Sequence, residues 1–333
     1  MIEITNKTLE GYKFIDLFCG LGGFRLALES LGATCVFSSE INEPVADVYE
    51  KNFSERPHGD ITQIDEKNVP QHDILCAGFP CQPFSASGKK LGFEDTRGTL
   101  FFDVARIIKH IKPKVVFLEN VMYLVEHDEG RTMSVIRATL EELGYIFNYS
   151  VLNALNYGVP QQRKRTYIVC FRNDINCALF HFPYKRPIFT CIKDILLDEK
   201  DTAELRIARN IYPPNRKPKT EKSEVILYGF FNEGRQGERV YSTEGACITI
   251  ATANKEIIHY FNDKGEEVVR RLHNRECARL MGFPDSYELH ENKPIAHHQI
   301  GNSVVVDVIQ YIGQEIGRCL IGDEQEELIL CNT

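Results

Sequence analysis

Between residues 13 and 168 the sequence alternates short apolar runs with stretches of helical periodicity, and this alternation restricts the fold more than any other feature. FIDLF (14–18), TCVFSS (34–39), ILCAG (74–78) and VVFLE (115–119) are the kind of short apolar run that a strand buried on both faces presents. They are interleaved with FRLALESL (24–31), PVADVYEKNF (44–53), LFFDVARIIKHI (100–111) and VIRATLEELG (135–144). In the third of these, Leu100, Phe101, Val104, Ile107, Ile108 and Ile111 fall on one helical face. Such strand–helix alternation predicts an α/β fold: a mostly parallel, Rossmann-like sheet with helices on both faces. YIFNYSVLNAL (145–155) and RTYIVCFR (165–172) extend it as an antiparallel edge hairpin.

The pattern changes near Pro183. PPNRKPKTEKSE (213–224) is proline-rich and charged and reads as a linker or exposed loop. VILYGFF (225–231), RVYST (239–243) and ACITIATA (246–253) suggest a small β-rich unit. RECARLMG (275–282) and SVVVDVIQYIGQEIG (303–317) read as helices.

No apolar run among the 333 residues approaches the roughly 18 that a membrane helix needs. MIEITNKTLE (1–10) has acids and no apolar core, unlike a signal peptide. The 11 cysteines are odd in number and contain no CxxC pair, which speaks against a zinc site or disulfide framework. Together these predict a cytoplasmic protein with reduced thiols, no membrane association and no metal. The net charge of −8 weighs against a nucleic-acid partner. Basic residues nevertheless crowd QQRKR (161–165), YKR (184–186), NRKPK (215–219) and RRLHNRECAR (270–279), while acids dominate the first sixty residues. A surface basic on one side and acidic elsewhere reconciles the two.

In open α/β sheets ligands bind beyond the carboxyl ends of the strands, and the unusual residues gather there. The first run leads into the glycine-rich turn DLFCGLGGF (16–24), and the second ends at Glu40. Asp60 follows in GDIT (59–62), Cys81 sits among prolines in LCAGFPCQPFSASG (75–88), and the last run ends in Glu119 and Asn120. Singly, each has an ordinary reading: a loop, a helix cap, a buried thiol. Their shared address favours a site, in which Cys81 is either a buried thiol or a nucleophile held on a rigid turn. Gly20, Gly22 and Gly23 are present, but Arg25 stands where a dinucleotide fingerprint has its third glycine. That favours an adenosine cofactor without pyrophosphate, S-adenosylmethionine, over a nicotinamide or flavin.

FIDLFCGLGGF (14–24), GFPCQPFS (78–85), LENV (118–121), QQRKR, RECARLMGFPD (275–285) and QIGNSV (299–304) occur in the order found in cytosine-5 DNA methyltransferases. The chain resembles that family over most of its length, apart from the middle of 186–270, and most nearly its bacterial restriction–modification members. The resemblance implies a catalytic and cofactor domain of 1–185 completed by 295–333, a target-recognition domain of 186–270, and a connecting segment of 271–294. It implies Cys81 as the nucleophile on C6 of a flipped cytosine, Glu119 on N3 and the exocyclic amine, and Arg163 and Arg165 as orienting residues. For S-adenosylmethionine it implies Phe18, Gly20, Leu21, Gly23, Glu40, Ile41, Asp60, Ile61, Pro80, Leu100, Asn302 and Ser303. For double-stranded DNA it implies Gln82, Ser85, Ser87 and Lys89 of a closing loop, and Gln236, Arg239, Tyr241 and Ser242 of the recognition region. A monomer is expected, with any cognate endonuclease acting independently. GRQGERVYST (234–243) resembles members that methylate GCGC, whereas TANKEIIHYFNDKGEE (252–267) does not. The competing readings are a tRNA cytosine-5 methyltransferase, a non-catalytic DNA-binding regulator and, more distantly, a Rossmann oxidoreductase.

Overall fold

The computed structural model describes residues 7–80, 100–186, 190–213, 224–233, 235 and 237–331, the side chains of 323–331 excepted. They fall into two compact units, one within Ile2–Leu152, Lys164–Tyr184 and Val308–Thr333, the other within Asn153–Arg163 and Lys185–Asp307.

The first unit begins as the alternation predicts. Strands β1 (Lys13–Leu17), β2 (Thr34–Ser39), β3 (Ile74–Ala77) and β4 (Val115–Val121) alternate with helices α1 (Gly23–Ser30), α2 (Glu43–Phe53), α3 (Leu100–Ile111) and α4 (Arg131–Glu142). Strand β5 (Tyr145–Asn153) follows; β6 (Gln161–Gln162) belongs to the second unit, and β7 (Lys164–Arg172) returns to the first. The sheet order is β2-β1-β3-β4-β7-β5. β1 is parallel to β2 and β3, β3 is parallel to β4, and β7 is antiparallel to β4. The sheet is thus mostly parallel with an antiparallel edge, as expected.

Both faces of the sheet are covered. Leu75, Val116 and Leu118 pack with Phe101, Val104 and Ile108 of α3 and with Ile136 and Leu140 of α4. Phe117 points to the opposite face, where it meets Phe24 of α1 edge-on at 5.1 Å. The last helix, written α7 (Val306–Cys331), closes against α1: a Cβ on Gly313 would lie 2.8 Å from Leu31 and 2.9 Å from Leu28. No helix of the described residues is long and apolar enough to cross a membrane.

The second unit holds a four-stranded sheet of order β12-β11-β9-β8, made of β8 (Leu227–Phe230), β9 (Arg239–Ser242), β11 (Ile257–Phe261) and β12 (Glu267–Arg271). Phe231, Val240 and Ile257 form its small core. A separate pair joins β6 in parallel to β10 (Cys247–Ile248). Helices α5 (Asn274–Arg279) and α6 (Lys293–Asn302) complete the unit.

Several expectations need correction here. Of ACITIATA only Cys247 and Ile248 form a strand. The hairpin β11–β12 was not anticipated. The helix expected from Ser303 starts at Val306, and α6 precedes it, capped by Asn292, whose side chain accepts the Ile295 N–H at 3.2 Å. Segments 153–163 and 295–307 pack within the second compact unit. The basic run 270–279 is largely internal. Arg270 and Glu276, 1% and 0% exposed, form a bidentate pair at 2.7 and 2.8 Å. Arg275 donates to the carbonyls of Pro284 and Tyr287, and Arg279 to Asp285 and to the carbonyls of Ile195 and Leu196. Those three arginines serve packing, so they add little to a basic surface.

Candidate active site

At the carboxyl end of β1 the chain turns through Phe18 and Gly20 at positive φ to Gly22, the N-cap of α1. Gly22 lies at φ +71°, and a Cβ there would sit 2.4 Å from the Phe53 ring, so only glycine fits. Arg25 packs on Phe53, its guanidinium carbon 4.7 Å from the ring centroid. Arg25 is anchored by Glu29 at 2.8 Å and by Tyr49 and Glu55, both at 3.0 Å. The residue that breaks the dinucleotide fingerprint is therefore part of the support beneath this turn. Asp16, wholly buried on β1, has its carboxyl pushed well above the usual range by burial, with the Arg25 charge opposing the shift.

Glu40, just past β2, receives the Gly20 N–H at 3.1 Å on one carboxylate oxygen and the Asn42 N–H at 2.8 Å on the other. Burial raises its pKa, while these backbone N–H groups pull it down. Beside it Ile41 is 67% exposed, an unusual position for an isoleucine. Phe18 is partly buried against the core, Leu21, Gly23 and Ile61 are buried, and Leu100 opens α3. Asp60 caps the short turn after it by accepting the Thr62 N–H at 2.9 Å. No side chain caps the N-terminus of α1. Each Glu40 oxygen still has a lone pair to offer. Two carboxylates, the exposed Ile41, the half-buried Phe18 ring and an uncapped helix start suit a ligand that carries a diol, a flat ring and its own carboxylate.

The second group lies at the ends of β3 and β4. In the β4–β7 register Glu119 faces Tyr167 and Val121 faces Arg165, so Glu119 and Arg165 are diagonal neighbours on one face. Arg165 Nε lies 3.2 Å from Glu119 Oε1, and Glu119 is only 8% exposed. Asn120, also buried, donates from Nδ2 to the Phe79 carbonyl at 2.8 Å and accepts the Val121 N–H at 2.9 Å. The backbone entering the Cys81 loop is thereby fastened to the strand that bears Glu119. Sequence reasoning named Asn120 only as the end of an apolar run; its place in LENV was the available signal. Pro80 is exposed at the edge of this loop. Cys81, Gln82, Ser85, Ser87 and Lys89 lie outside the described residues, as does Gln236. Cys76 is fully buried on β3, where burial drives its thiol pKa well up, as a core thiol should behave.

Arg163 belongs to the second unit. Its guanidinium donates to the carbonyls of Ile250 at 3.1 Å, Gly301 at 3.0 Å and Ser303 at 2.8 Å. Ser303 is buried at the end of α6 and Asn302 is exposed. On β9, Arg239 is exposed, Tyr241 is buried and Ser242 is half-buried. Among the described residues no three His, Cys, Asp or Glu side chains are grouped to hold a metal.

Comparison with known proteins identifies the family. The family model described as C-5 cytosine-specific DNA methylase matches residues 12–318. The type II methyltransferase M.HhaI of Haemophilus parahaemolyticus is 52% identical over 325 residues, covering 96% of this chain and 98% of that protein. The type II methyltransferase M.HpaII of Haemophilus parainfluenzae is 42% identical over 334 residues, covering 94% and 91%. The crystal structure of the S. pombe Dnmt2 methyltransferase shares the fold, with a TM-score of 0.67 at 19% identity over 90% of this chain and 96% of that one. The Entamoeba histolytica methyltransferase EhMeth does so with a TM-score of 0.63 at 18% identity, covering 94% and 98%. With the family model spanning nearly the whole chain, the protein belongs to the C-5 cytosine-specific DNA methylases, enzymes that transfer a methyl group from S-adenosylmethionine to C5 of cytosine in DNA.

Proposed function

We propose that the chain is the modification methyltransferase of a type II restriction–modification system, acting as a monomer on duplex DNA with GCGC as its site. The observation that carries the chemistry is the Glu119–Arg165 pair at 3.2 Å, beside a strand end whose Asn120 fastens the approach to Cys81. C5 of cytosine is barely nucleophilic and C6 is electrophilic. Addition of the Cys81 thiolate to C6 forms an S–C bond and makes C5 an enamine carbon. Glu119 hydrogen-bonds N3 and the exocyclic amine, favouring protonation as the adduct forms, and Arg165 fixes the carboxylate. When bound, S-adenosylmethionine would supply an electrophilic methyl group to C5 and leave as S-adenosylhomocysteine. Loss of the C5 proton and of the cysteine restores the ring. Because the target atom is unreachable in a stacked duplex, the base must be extruded.

The cofactor residues take these roles. Glu40 binds the ribose diol, Asp60 the adenine amine and Phe18 the adenine face. Gly20, Leu21 and Gly23 meet the methionine portion. Ile41, Ile61, Pro80 and Leu100 form apolar walls, and Asn302 and Ser303 close the site. Residues 1–185 with 295–333 form the catalytic domain, and 186–270 reads the target through Gln236, Arg239, Tyr241 and Ser242. Gln82, Ser85, Ser87 and Lys89 contact DNA from the loop after the nucleophile. Arg163 completes the orienting pair. What supports GCGC is the GRQGERVYST stretch.

Two measurements test this. Wild type should form a covalent adduct with 5-fluorocytosine DNA, whereas Cys81→Ser should bind cofactor and DNA without turnover; normal methylation by that variant refutes the assignment. Bisulfite sequencing of random duplex DNA should place methylcytosine within GCGC. Methylation outside a GC-rich palindrome with a central CG removes the site assignment, and transfer to bulk tRNA in place of duplex DNA replaces the substrate.

A further inference from the structure

The stretch DITQIDEKNV (60–69) uses one small device twice. Asp60 caps a three-residue 3-10 turn, Ile61–Gln63, by accepting the Thr62 N–H at 2.9 Å. Asp65 caps another, Glu66–Asn68, by accepting the Lys67 N–H at 2.9 Å. Turns this short close few hydrogen bonds of their own and do not hold their orientation unaided. Buried Ile61 and Val69 seat the stretch in the core that holds Phe101, Val104, Ala105 and Ile108 of α3. Apolar contact is non-directional, so it sets depth and leaves rotation open.

Direction comes from Arg106 of α3, whose guanidinium is committed on all three nitrogens. Nε donates to Asp103 at 3.1 Å, one terminal nitrogen to the Glu66 carboxylate at 2.9 Å, and the other to the Ile61 carbonyl at 2.5 Å. Asp103, one turn earlier on the same helix, aims this planar fork. The side chains of Arg106 and Asp103 are 23% exposed and that of Glu66 35%, so water competes weakly for them. Both short turns are thereby tied to one helix, the helix that Leu100 opens. The cap uses Oδ1 of Asp60 and leaves Oδ2 available to a ligand.

We infer that Arg106 is the positioning residue of the adenine site: it holds the Asp60 turn against α3 so that the free carboxylate oxygen meets the exocyclic amine, and it thereby sets the preference for adenine over a base bearing an oxygen at that place. This rests on the proposed reading of Asp60 as the residue that takes the adenine amine. A carboxylate oxygen accepts hydrogen bonds and donates none, so it attracts an amine and repels a carbonyl oxygen. Such selection requires the oxygen to stay within the narrow range of distance and angle of a hydrogen bond. A capped three-residue turn does not secure that alone; the fork of Arg106 does. Arg106 acts through Ile61 and Asp60 and touches no cofactor atom itself.

The test is calorimetric titration of the full chain with S-adenosylhomocysteine and with S-inosylhomocysteine, its deaminated analogue. Wild type should prefer the adenosyl form by roughly tenfold or more, the worth of one hydrogen bond to a charged group. Arg106→Met should lose most of that preference, chiefly through a roughly tenfold fall in affinity for the adenosyl form. Arg106→Lys keeps the charge and reaches one acceptor, and Glu66→Gln leaves the Ile61 carbonyl bond in place; each should lie between Arg106→Met and wild type. Structural loosening alone would weaken both ligands alike. An unchanged ratio in Arg106→Met, or in Arg106→Lys should Arg106→Met not fold, therefore overturns the inference. A preference that survives Asp60→Asn, or is absent from wild type, overturns the reading of Asp60, and this inference with it.

Discussion

Gly22→Ala places a methyl group where the turn into α1 has no room, and the cost follows from two separate terms. The backbone at φ +71° is left-handed, which costs an L-residue roughly 1–2 kcal/mol. The methyl would also lie 2.4 and 2.8 Å from the Phe53 ring and 3.0 Å from that of Tyr49, an overpacking worth roughly 1–3 kcal/mol. The ring cannot withdraw freely because Arg25 lies 4.7 Å from its centroid on a base of three hydrogen bonds. The sum is about 2–5 kcal/mol of lost stability, together with weaker S-adenosylmethionine binding as the turn shifts. Guanidinium denaturation and calorimetric titration of the cofactor measure the two effects. Phe53→Leu separates the terms: it should relieve the clash but not the backbone strain. The double variant should therefore be more stable than the sum of the singles predicts, by at least about 1 kcal/mol, and should regain part of the cofactor affinity. Additivity within about 0.5 kcal/mol would show that the ring is not the obstacle.

His72, buried ahead of β3 with Nδ1 2.8 Å from the Pro70 carbonyl, has its pKa pulled down to about 4 by burial. A folded-state pKa below the unfolded value of about 6.5 means stability that is complete above pH 6.5 and is lost as pH falls toward 4. The full loss is up to roughly 3 kcal/mol, so His72→Gln should flatten the melting temperature between those limits; an unchanged slope refutes it. Asn120→Ala leaves the Phe79 carbonyl without its side-chain donor, which should cost about 1–3 kcal/mol. It should also slow trapping by 5-fluorocytosine DNA roughly tenfold, and trapping at the wild-type rate would separate Asn120 from the Cys81 loop. Glu276→Gln breaks the buried pair with Arg270 and should cost about 3–5 kcal/mol in chemical denaturation. Replacing both residues with apolar side chains should recover most of that loss, and a double variant no more stable than the single one contradicts the account.

Much of the first unit was legible because β1, β3 and β4 are buried on both faces and so appear as apolar runs. The edge was harder to anticipate: insertion of β7 between β4 and β5 is a matter of topology, and only that insertion makes Glu119 and Arg165 neighbours. No spacing in the sequence predicts it; Glu119 was marked by its place at a strand end, and only the resemblance paired it with Arg165. In the second unit the β11–β12 hairpin was missed although Gly265, at φ +77°, marks its turn, because His259 and Glu267 interrupt the expected apolar pattern. These two meet across the hairpin at 3.0 Å. Likewise α6 carried an Asn-Lys-Pro start but little amphipathic pattern, with His297 and Gln299 buried among its apolar residues. The arginines of 270–279 misled for a related reason. A charge count cannot distinguish a guanidinium facing water from one hydrogen-bonded to carbonyls, and Arg163 in QQRKR is of the second kind.

Closure of the first unit by α7 has a consequence for how the protein comes off the ribosome. The strands β1 to β7 emerge early, but the segment that packs on Leu28 and Leu31 follows only after Lys185–Asp307 has been made. At about 5–20 residues per second, an apolar flank of the nascent sheet waits on the order of ten seconds for its cover. During that interval it is a natural client for chaperones, and slower translation across Lys185–Asp307 should raise the insoluble fraction while leaving the finished enzyme unchanged.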